Sequence, residues 1–139
     1  MEYQRVSAAH IDALWELQRL YKAEIGEDEP DEAGKARLAE ALTTGAILFW
    51  GAWDGPTLAG CCSVTAGFST FDYRPSGVFE DFYIRPAYRH SGVARALVRM
   101  ARQASGVSTL TVSCADCDLS MYAALGFTLR LGNTLAYEG

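Results

Sequence analysis

The chain has 139 residues and a formal net charge of −5 at pH 7, a length that predicts one domain spanning residues 1–139. The acidic balance argues against a nucleic-acid partner, which calls for a basic face, and against an anionic membrane surface. No apolar run is long enough to span a bilayer and the first residues lack a secretory pattern, so we expect a cytoplasmic protein.

The amino-terminal half predicts a strand, two helices and a hairpin. After a short strand at residues 3–6, apolar residues recur at helical spacing from 8 to 25. A second helix is predicted over residues 31–43. Two apolar runs then flank Asp54 and Gly55, which is a strong hairpin signal. The segment 66–77 is predicted to be a loop or an irregular strand end.

The carboxyl-terminal half alternates strands with helices. The predicted elements are a strand at 78–84, a helix at 93–104, a strand at 107–114, a helix at 118–125 and two closing strands at 127–131 and 133–137. The complete order, β-α-α-β-β-β-α-β-α-β-β, predicts an α/β domain with a mixed sheet and helices on both faces.

The four cysteines do not predict a disulfide framework or a metal site. Cys61 and Cys62 are adjacent within an apolar run, which favours buried, reduced thiols. Cys114 and Cys117 form one C-x-x-C pair, and no second pair stands at a spacing that would complete four zinc ligands. We therefore expect no metal, and a redox role for this pair stays open.

The stretch YRHSGVARAL, residues 88–97, follows a predicted strand and opens a predicted helix. A helix N-terminus offers unpaired N–H groups and the positive end of a dipole, and Gly92 permits a close backbone approach. Arg89 adds a guanidinium, so the turn suits a pyrophosphate. A tight turn with an exposed arginine fits the same spacing, which alone leaves both interpretations open.

Residues 89–94, Arg-His-Ser-Gly-Val-Ala, match the R/Q-x-x-G-x-G/A signature of the GCN5-related N-acetyltransferase (GNAT) family, which uses acetyl-CoA. The segments FEDFYI and SMYAALGF also stand at the separations usual in that family, and residues 68–97 look most similar to diamine and polyamine (spermidine/spermine-type) acetyltransferases. The resemblance implies a mixed, mostly antiparallel sheet of six to seven strands with helices on both faces. It leaves open a homodimer in which terminal strands pair between two copies.

The same resemblance implies how acetyl-CoA binds. Backbone groups of residues 82–84 would align the pantetheine arm, and amides of residues 90–95 would hold the pyrophosphate. The family commonly has Asn where this chain has Ala115, and Asp116 is the expected substitute beside the thioester arm. The donor-binding residues implied are Phe82, Tyr83, Ile84, Arg89, His90, Ser91, Gly92, Val93, Ala94, Arg95 and Asp116.

Glu80 is expected to act as the catalytic base. Deprotonating a primary amine of pKa 10.4 at pH 7 costs about 4.6 kcal/mol, so a base or a water chain is useful. Strand alternation puts Glu80 on one face with Val78, Phe82 and Ile84, where desolvation would raise its proton affinity. Glu80 also matches the glutamate proposed as base in the polyamine enzymes. The alternative is a strand carboxylate that meets solvent or an ion-pair partner.

Tyr122 is expected to act on the leaving group. It matches the position where the family places a tyrosine near the departing thiolate, to which its hydroxyl would donate a hydrogen bond. The alternative is a tyrosine that only packs with Met121 and Leu125. A backbone N–H near Tyr83 or Ile84 would meet the oxyanion.

The acceptor is expected to be a primary amine of a small molecule, such as a polyamine or an amino acid. An acidic link at residues 27–32 would attract such a cation or would simply be solvated. The residues expected to bind the acceptor are Trp15, Tyr21, Glu27, Phe71 and Asp81. Two alternatives remain: acetylation of a protein N-terminus or lysine, and a non-catalytic module that binds acyl-CoA for regulation.

Overall fold

A computed structural model describes residues 1–139, which form five strands and four α-helices. Strands β1 to β5 cover Glu2–Val6, Leu48–Asp54, Thr57–Ser69, Arg74–Ile84 and Thr109–Thr111. Helices α1 to α4 cover Ile11–Glu24, Glu32–Thr44, Val93–Ala104 and Leu119–Ala124. None of these helices combines the length and the apolar character that crossing a membrane requires.

The strands form a single sheet in the order β1-β2-β3-β4-β5. Neighbouring strands run antiparallel up to β4, whereas β4 and β5 are parallel because α3 crosses over between them. Their parallel pairing is short and ends where Val78 meets Thr111. The predicted mixed α/β sheet is therefore confirmed, and its two longest strands form the centre of the molecule.

The hairpin predicted around Asp54 and Gly55 is present, and Gly55 adopts a φ of +56° in its turn. Of the two interpretations of residues 66–77, the loop is wrong and strand ends are found: β3 and β4 pair as far as Ser69 and Arg74, and only residues 70–73 form a turn. The side chain of Asp72 stabilises the remaining turn: its Oδ1 accepts from the Arg74 N–H and its Oδ2 from the Ser108 hydroxyl. Turn-forming residues and aromatic residues thus share one long hairpin.

Apolar side chains form two buried clusters, one on each face of the sheet. The α3-side cluster joins Trp50, Val64 and Phe79 to the buried face of α3. The α1-side cluster joins Phe49 and Trp53 to helices α1 and α2. Adjacent cysteines contribute to opposite clusters: Cys61 lies on the α1 side and Cys62 on the α3 side, both buried and free, as predicted.

Strand β4 contains a β-bulge, and this changes which side chains share a face. Cys61 pairs with Tyr83 and Ser63 with Glu80, so Cys62 alone stands opposite both Asp81 and Phe82. Asp81 has a φ of +51°, in the left-handed region.

The predicted grouping of Glu80 with Phe82 and Ile84 is therefore wrong. Phe82 and Ile84 pack against the α3-side cluster, while Glu80 stands beside Ser63, whose other neighbour, Phe49, lies in the α1-side cluster.

The sheet has five strands and not the six to seven expected, because the segment after α4 pairs with nothing. Residues 127–139 contain no strand, and only the Phe127 N–H is bonded to another backbone group, the Tyr122 carbonyl. Apolar side chains of this segment are strongly exposed, including Leu135 at 90% and Tyr137 at 94%. Alternating apolar residues predicted two strands, but alternation does not supply a partner edge.

Candidate active site

The turn that joins β4 to α3 is fixed to the rest of the molecule by three side chains. Arg85 Nε donates to the Leu58 carbonyl at 2.8 Å, and Tyr88 donates its hydroxyl to Asp54 Oδ2 at 2.7 Å. Arg89 Nε donates to the Ile84 carbonyl at 2.8 Å. Because these contacts connect the turn to the β2–β3 hairpin and to the end of β4, the start of α3 has a defined position.

The guanidinium of Arg89 does not face the start of α3. Its Nη2 contacts both carboxylate oxygens of Glu24, at 2.8 and 3.1 Å, and its Cζ lies 5.5 Å from the centre of the Tyr83 ring. These contacts bind the end of α1 to β4. Two of the three guanidinium nitrogens, Nε and Nη2, thus have partners within the protein, and the expected fork on a phosphate stays a prediction.

The first turn of α3 has the backbone donors that the sequence predicts. Gly92, the N-cap, has a φ of +89° and no side chain caps the helix. The first helical bond runs from the Ala96 N–H to the Gly92 carbonyl, so the N–H groups of Val93, Ala94 and Arg95 have no acceptor within the helix. With the dipole of a 12-residue helix behind them, these groups suit an anion.

His90 and Ser91 complete the turn before the helix. His90 has a φ of +62° and is exposed, and the Ser91 hydroxyl donates to the Tyr88 carbonyl. The Ser91 side chain is thus used within the turn. An added Cβ at Gly92 would meet no atom within 4 Å, so the positive φ, and not a lack of space, calls for glycine there.

Strands β4 and β5 separate next to this turn. Their pairing ends at Val78 and Thr111, so on that side β4 has no strand partner from Phe79 to Ile84. Backbone groups of Phe82, Tyr83 and Ile84 border the resulting gap, and Tyr122 of α4 packs on its α3 side, with ring centres 6.2 Å from Phe82 and 5.8 Å from Phe127.

Two carboxylates from the bulge lie on the α1 face of the sheet. Glu80 is exposed, so the expected burial among apolar side chains is not found. Asp81 is partly buried and its Oδ2 accepts a 2.7 Å hydrogen bond from the Ser63 hydroxyl. Tyr21 of α1 is near both: burial first, then the negative charges of Asp81 and Glu80, raise the pKa of the Tyr21 phenol.

Tyr122 is a partly buried phenol at the other side of the gap. Desolvation, with smaller contributions from Tyr21, Asp118 and Cys114, raises the pKa of Tyr122 to about 12. Its hydroxyl therefore stays protonated at physiological pH and can donate a hydrogen bond. Since a thiol has a pKa of about 8.5, complete proton transfer from this phenol to a thiolate is strongly uphill.

Several predicted binding residues lie elsewhere. Trp15 is only 9% exposed, and its ring lies beside Gly34 of α2. Phe71 is 99% exposed at the tip of the β3–β4 hairpin.

Three further residues expected to bind a substrate have different surroundings: Glu27, Asp116 and Arg95. Glu27 lines a groove along α1 with Glu16, Arg19 and Glu29, and Arg19 pairs with Glu29 at 2.7 Å. Asp116 is exposed. Arg95 directs its Nη2 to the Ala124 carbonyl at 3.0 Å, which ties α3 to the end of α4.

Sequence reasoning missed Ser63. Its side chain is fully buried, and its partner is the carboxylate of Asp81, 18 residues away. The signal available was a single hydroxyl in the otherwise apolar run LAGCCSVT. Only the register of β3 against β4 shows what that hydroxyl contacts.

Comparisons with known proteins agree on the fold. The chain is similar over 100% of its length to 99% of a probable acetyltransferase of known structure, with a TM-score of 0.87 and 21% identity. It is similar to an aminoglycoside acetyltransferase from an uncultured soil metagenomic sample, solved with trehalose (TM-score 0.82, 16% identity, 99% of this chain and 95% of that one). It is also similar to glucosamine-6-phosphate N-acetyltransferase from Arabidopsis thaliana (TM-score 0.76, 11% identity, 99% and 98%).

No curated protein sequence matches the chain. The model of the acetyltransferase (GNAT) domain matches residues 45–129, which include the bulge, the turn and Tyr122. The match begins before β2 and ends just after α4, so it contains every element that borders the gap between β4 and β5. The chain belongs to the GNAT acetyltransferase family and is an acyltransferase.

Proposed function

We propose that the chain transfers the acetyl group of acetyl-CoA to a primary amine of a small molecule. The observation that carries this proposal is the position of the bulge in β4. It presents two carboxylates, Glu80 and Asp81, on the face that carries Tyr21, beside the gap that Tyr122 borders. A cationic amine and a thioester can thus be bound from opposite sides of one strand.

The residues at the gap fit acetyl-CoA. Amides of residues 90–95, the first turn of α3 included, would bind its pyrophosphate, since these helical N–H groups have no other acceptor. The unpaired side of Phe82, Tyr83 and Ile84 would align the pantetheine amides as a strand partner would. When bound, acetyl-CoA supplies the thioester carbonyl that an amine nitrogen attacks, with release of the thiol.

Glu80 is the proposed base and Tyr122 the proposed donor to the leaving sulfur. Glu80 is exposed on the α1 face of the sheet, where we propose that the amine binds, so it can take up a proton from an ammonium group directly or through water. Tyr122, protonated because its pKa is raised to about 12, can stabilise negative charge on sulfur by a hydrogen bond. A backbone N–H near Tyr83 or Ile84 is the proposed oxyanion donor.

The acceptor class is proposed from charge. Polyamines come first, on the resemblance of residues 68–97 to polyamine acetyltransferases, and amino acids and aminoglycosides follow. Polyamines and aminoglycosides are cations at neutral pH, and an amino acid carries one ammonium group, so each brings positive charge to a face with two carboxylates. A homodimer, with the exposed apolar segment 127–139 paired between copies, is the assembly we propose for test.

The proposal is tested by incubating the chain with acetyl-CoA and a panel of amines while following thiol release and product mass. We expect thiol release to require an amine and to yield its acetylated form. Glu80→Gln should lower kcat by about 10²-fold, most strongly at low pH, where the amine is most fully protonated.

Parallel reactions contain no amine, a lysine-containing peptide or a peptide with a free N-terminus. Thiol release without an amine would indicate only hydrolysis. Acetylation of the peptides alone would reassign the enzyme to protein substrates, and binding of coenzyme A without any transfer would indicate a regulatory module.

A further inference from the structure

Asp81 is held by two hydrogen bonds from side chains of β3. The Ser63 hydroxyl donates to Asp81 Oδ2 at 2.7 Å, and the Cys61 thiol donates to the Asp81 carbonyl at 3.5 Å. Asp81 also has a φ of +51°, a conformation that costs an L-residue free energy and that surrounding contacts must maintain. Side chain and main chain of this one residue are therefore both fixed from β3.

The bulge determines where the Asp81 carboxylate points. In a regular strand, residue 81 would share a face with Phe79, which is fully buried in the α3-side cluster. The extra residue opposite Cys62 places the carboxylate beside Ser63 on the α1 face. A charged group is thereby kept out of an apolar cluster and placed next to Glu80 and Tyr21.

Glu80 and Asp81 differ in how they are held. The side chain of Glu80 is exposed and has no hydrogen-bond or ion-pair partner. Asp81 is partly buried, and Ser63 fixes one of its two oxygens. A fixed carboxylate suits binding and orientation, whereas a free one suits uptake of a proton.

We propose that Ser63 is a positioning residue for the acceptor: its buried hydroxyl orients Asp81, which binds the ammonium group of a cationic amine while Glu80 takes up the proton. This inference rests on the proposed function and adds a division of labour between the two carboxylates. It restricts the preferred acceptors to amines that are cationic in solution.

The test compares Ser63→Ala, Ser63→Thr, Asp81→Asn and the Ser63→Ala/Asp81→Asn double variant. Two acceptors are used: 1,4-diaminobutane, a cation at pH 7, and an arylamine, which is neutral there. We expect Ser63→Ala to raise KM for the diamine about tenfold, as loss of a hydrogen bond to a charged group predicts, with kcat and the KM for acetyl-CoA within about threefold. Ser63→Thr, which keeps the hydroxyl, should restore most of the loss.

Two further comparisons separate positioning from packing. In the Asp81→Asn background, Ser63→Ala should have no additional effect on KM, because the two residues act through one contact. Thr65→Ala, two residues along the same strand and without a side-chain hydrogen bond, is the matched control. Equal KM changes for the diamine and the arylamine, or additive effects in the double variant, would overturn the inference.

Equilibrium binding of 1,4-diaminobutane, followed by amide chemical shifts of β3 and β4, distinguishes this inference from the proposed function. A wild-type chain that binds the diamine but releases no thiol would overturn the proposed function alone, provided that Ser63→Ala weakens binding about tenfold. Equal binding by wild type and Ser63→Ala, or no binding by wild type, would overturn the role of Ser63.

Discussion

Tyr122 combines an apolar environment with a polar hydroxyl at the edge of the gap between β4 and β5. Its ring contacts Phe82 and Phe127, and its backbone carbonyl accepts from the Phe127 N–H at 3.0 Å. Packing and chemistry are therefore compatible in one side chain, because the ring provides the packing and leaves the hydroxyl for a ligand.

Tyr122→Phe should lower kcat by about ten- to a hundredfold, the effect of losing one hydrogen bond to a charged group, while the Kd for coenzyme A stays unchanged. Because burial raises the Tyr122 pKa to about 12, the phenol is almost entirely protonated up to pH 10. The ratio of wild-type to variant turnover should thus be constant from pH 6 to 10. Steady-state rates across that range check this, and a ratio that approaches one near pH 8 would contradict it.

Arg89 is a motif residue whose guanidinium bonds to other parts of the protein. Its contacts with Glu24, Tyr83 and the Ile84 carbonyl connect α1 to the end of β4. The sequence shows the motif but not the direction of the Arg89 guanidinium, because its partner on α1, Glu24, lies 65 residues away in the chain.

At the scale of elements, the turn before α3 depends on one glycine. Gly92→Ala should reduce stability by about 1–2 kcal/mol, since an L-residue at a φ of +89° is strained although no atom obstructs its Cβ. The strain should also turn the first N–H groups of α3 and weaken coenzyme A binding. Urea denaturation and calorimetric titration measure both effects.

Gly67→Ala is the control for that experiment. Gly67 lies in β3, an added Cβ there would also meet nothing within 4 Å, and its φ is not in the positive range. This variant should bind coenzyme A like wild type and lose little or no stability. Equal losses in both variants would show that the conformation of Gly92 is not what the site requires.

A second prediction at the scale of elements concerns the segment after α4. From Thr128 onward no backbone N–H donates to another backbone group, so these amides should exchange with solvent much faster than those at the centre of β3 and β4. Hydrogen exchange followed by mass spectrometry of peptides from both regions checks this. Protection of residues 128–137 that grows with protein concentration would instead support pairing between copies.

The elements that the sequence predicted well have local signals. Helical spacing, glycine stops and an Asp-Gly turn identified all four helices and the β2–β3 hairpin. The bulge in β4 and the unpaired segment after α4 have no such signal, because both depend on which part of the chain lies beside the segment in the folded sheet. For that reason the turn before α3 was predictable, whereas the face of Glu80 and the contact between Ser63 and Asp81 were not.

At the scale of the whole molecule, one sheet separates two apolar clusters and belongs to both. Trp50 is buried on the α3 side and Trp53 on the α1 side, three residues apart in β2. Loss of either cluster exposes the shared strands, so neither should survive alone. The chain is therefore expected to unfold as one domain.

Chemical denaturation of two variants tests that expectation. In Trp15→Phe/Trp53→Phe the remaining tryptophan reports the α3 side, and in Trp50→Phe the other two report the α1 side. In each variant the fluorescence and far-UV circular dichroism transitions should have one common midpoint. Separate midpoints would divide the chain into two folding units.

The bulge also means that β4 contains one residue more than the paired part of β3. Removing residue 81 would leave Phe79, Phe82 and Ile84 facing α3, and Glu80 and Tyr83 facing α1, by plain alternation alone. Asp81 is thus an extra residue in β4: alternation alone would give the same apolar faces without it. Adding or removing one residue in a central strand usually moves every later side chain to the other face. Here β4 contains one residue more than regular pairing with β3 requires, and that residue, Asp81, is charged.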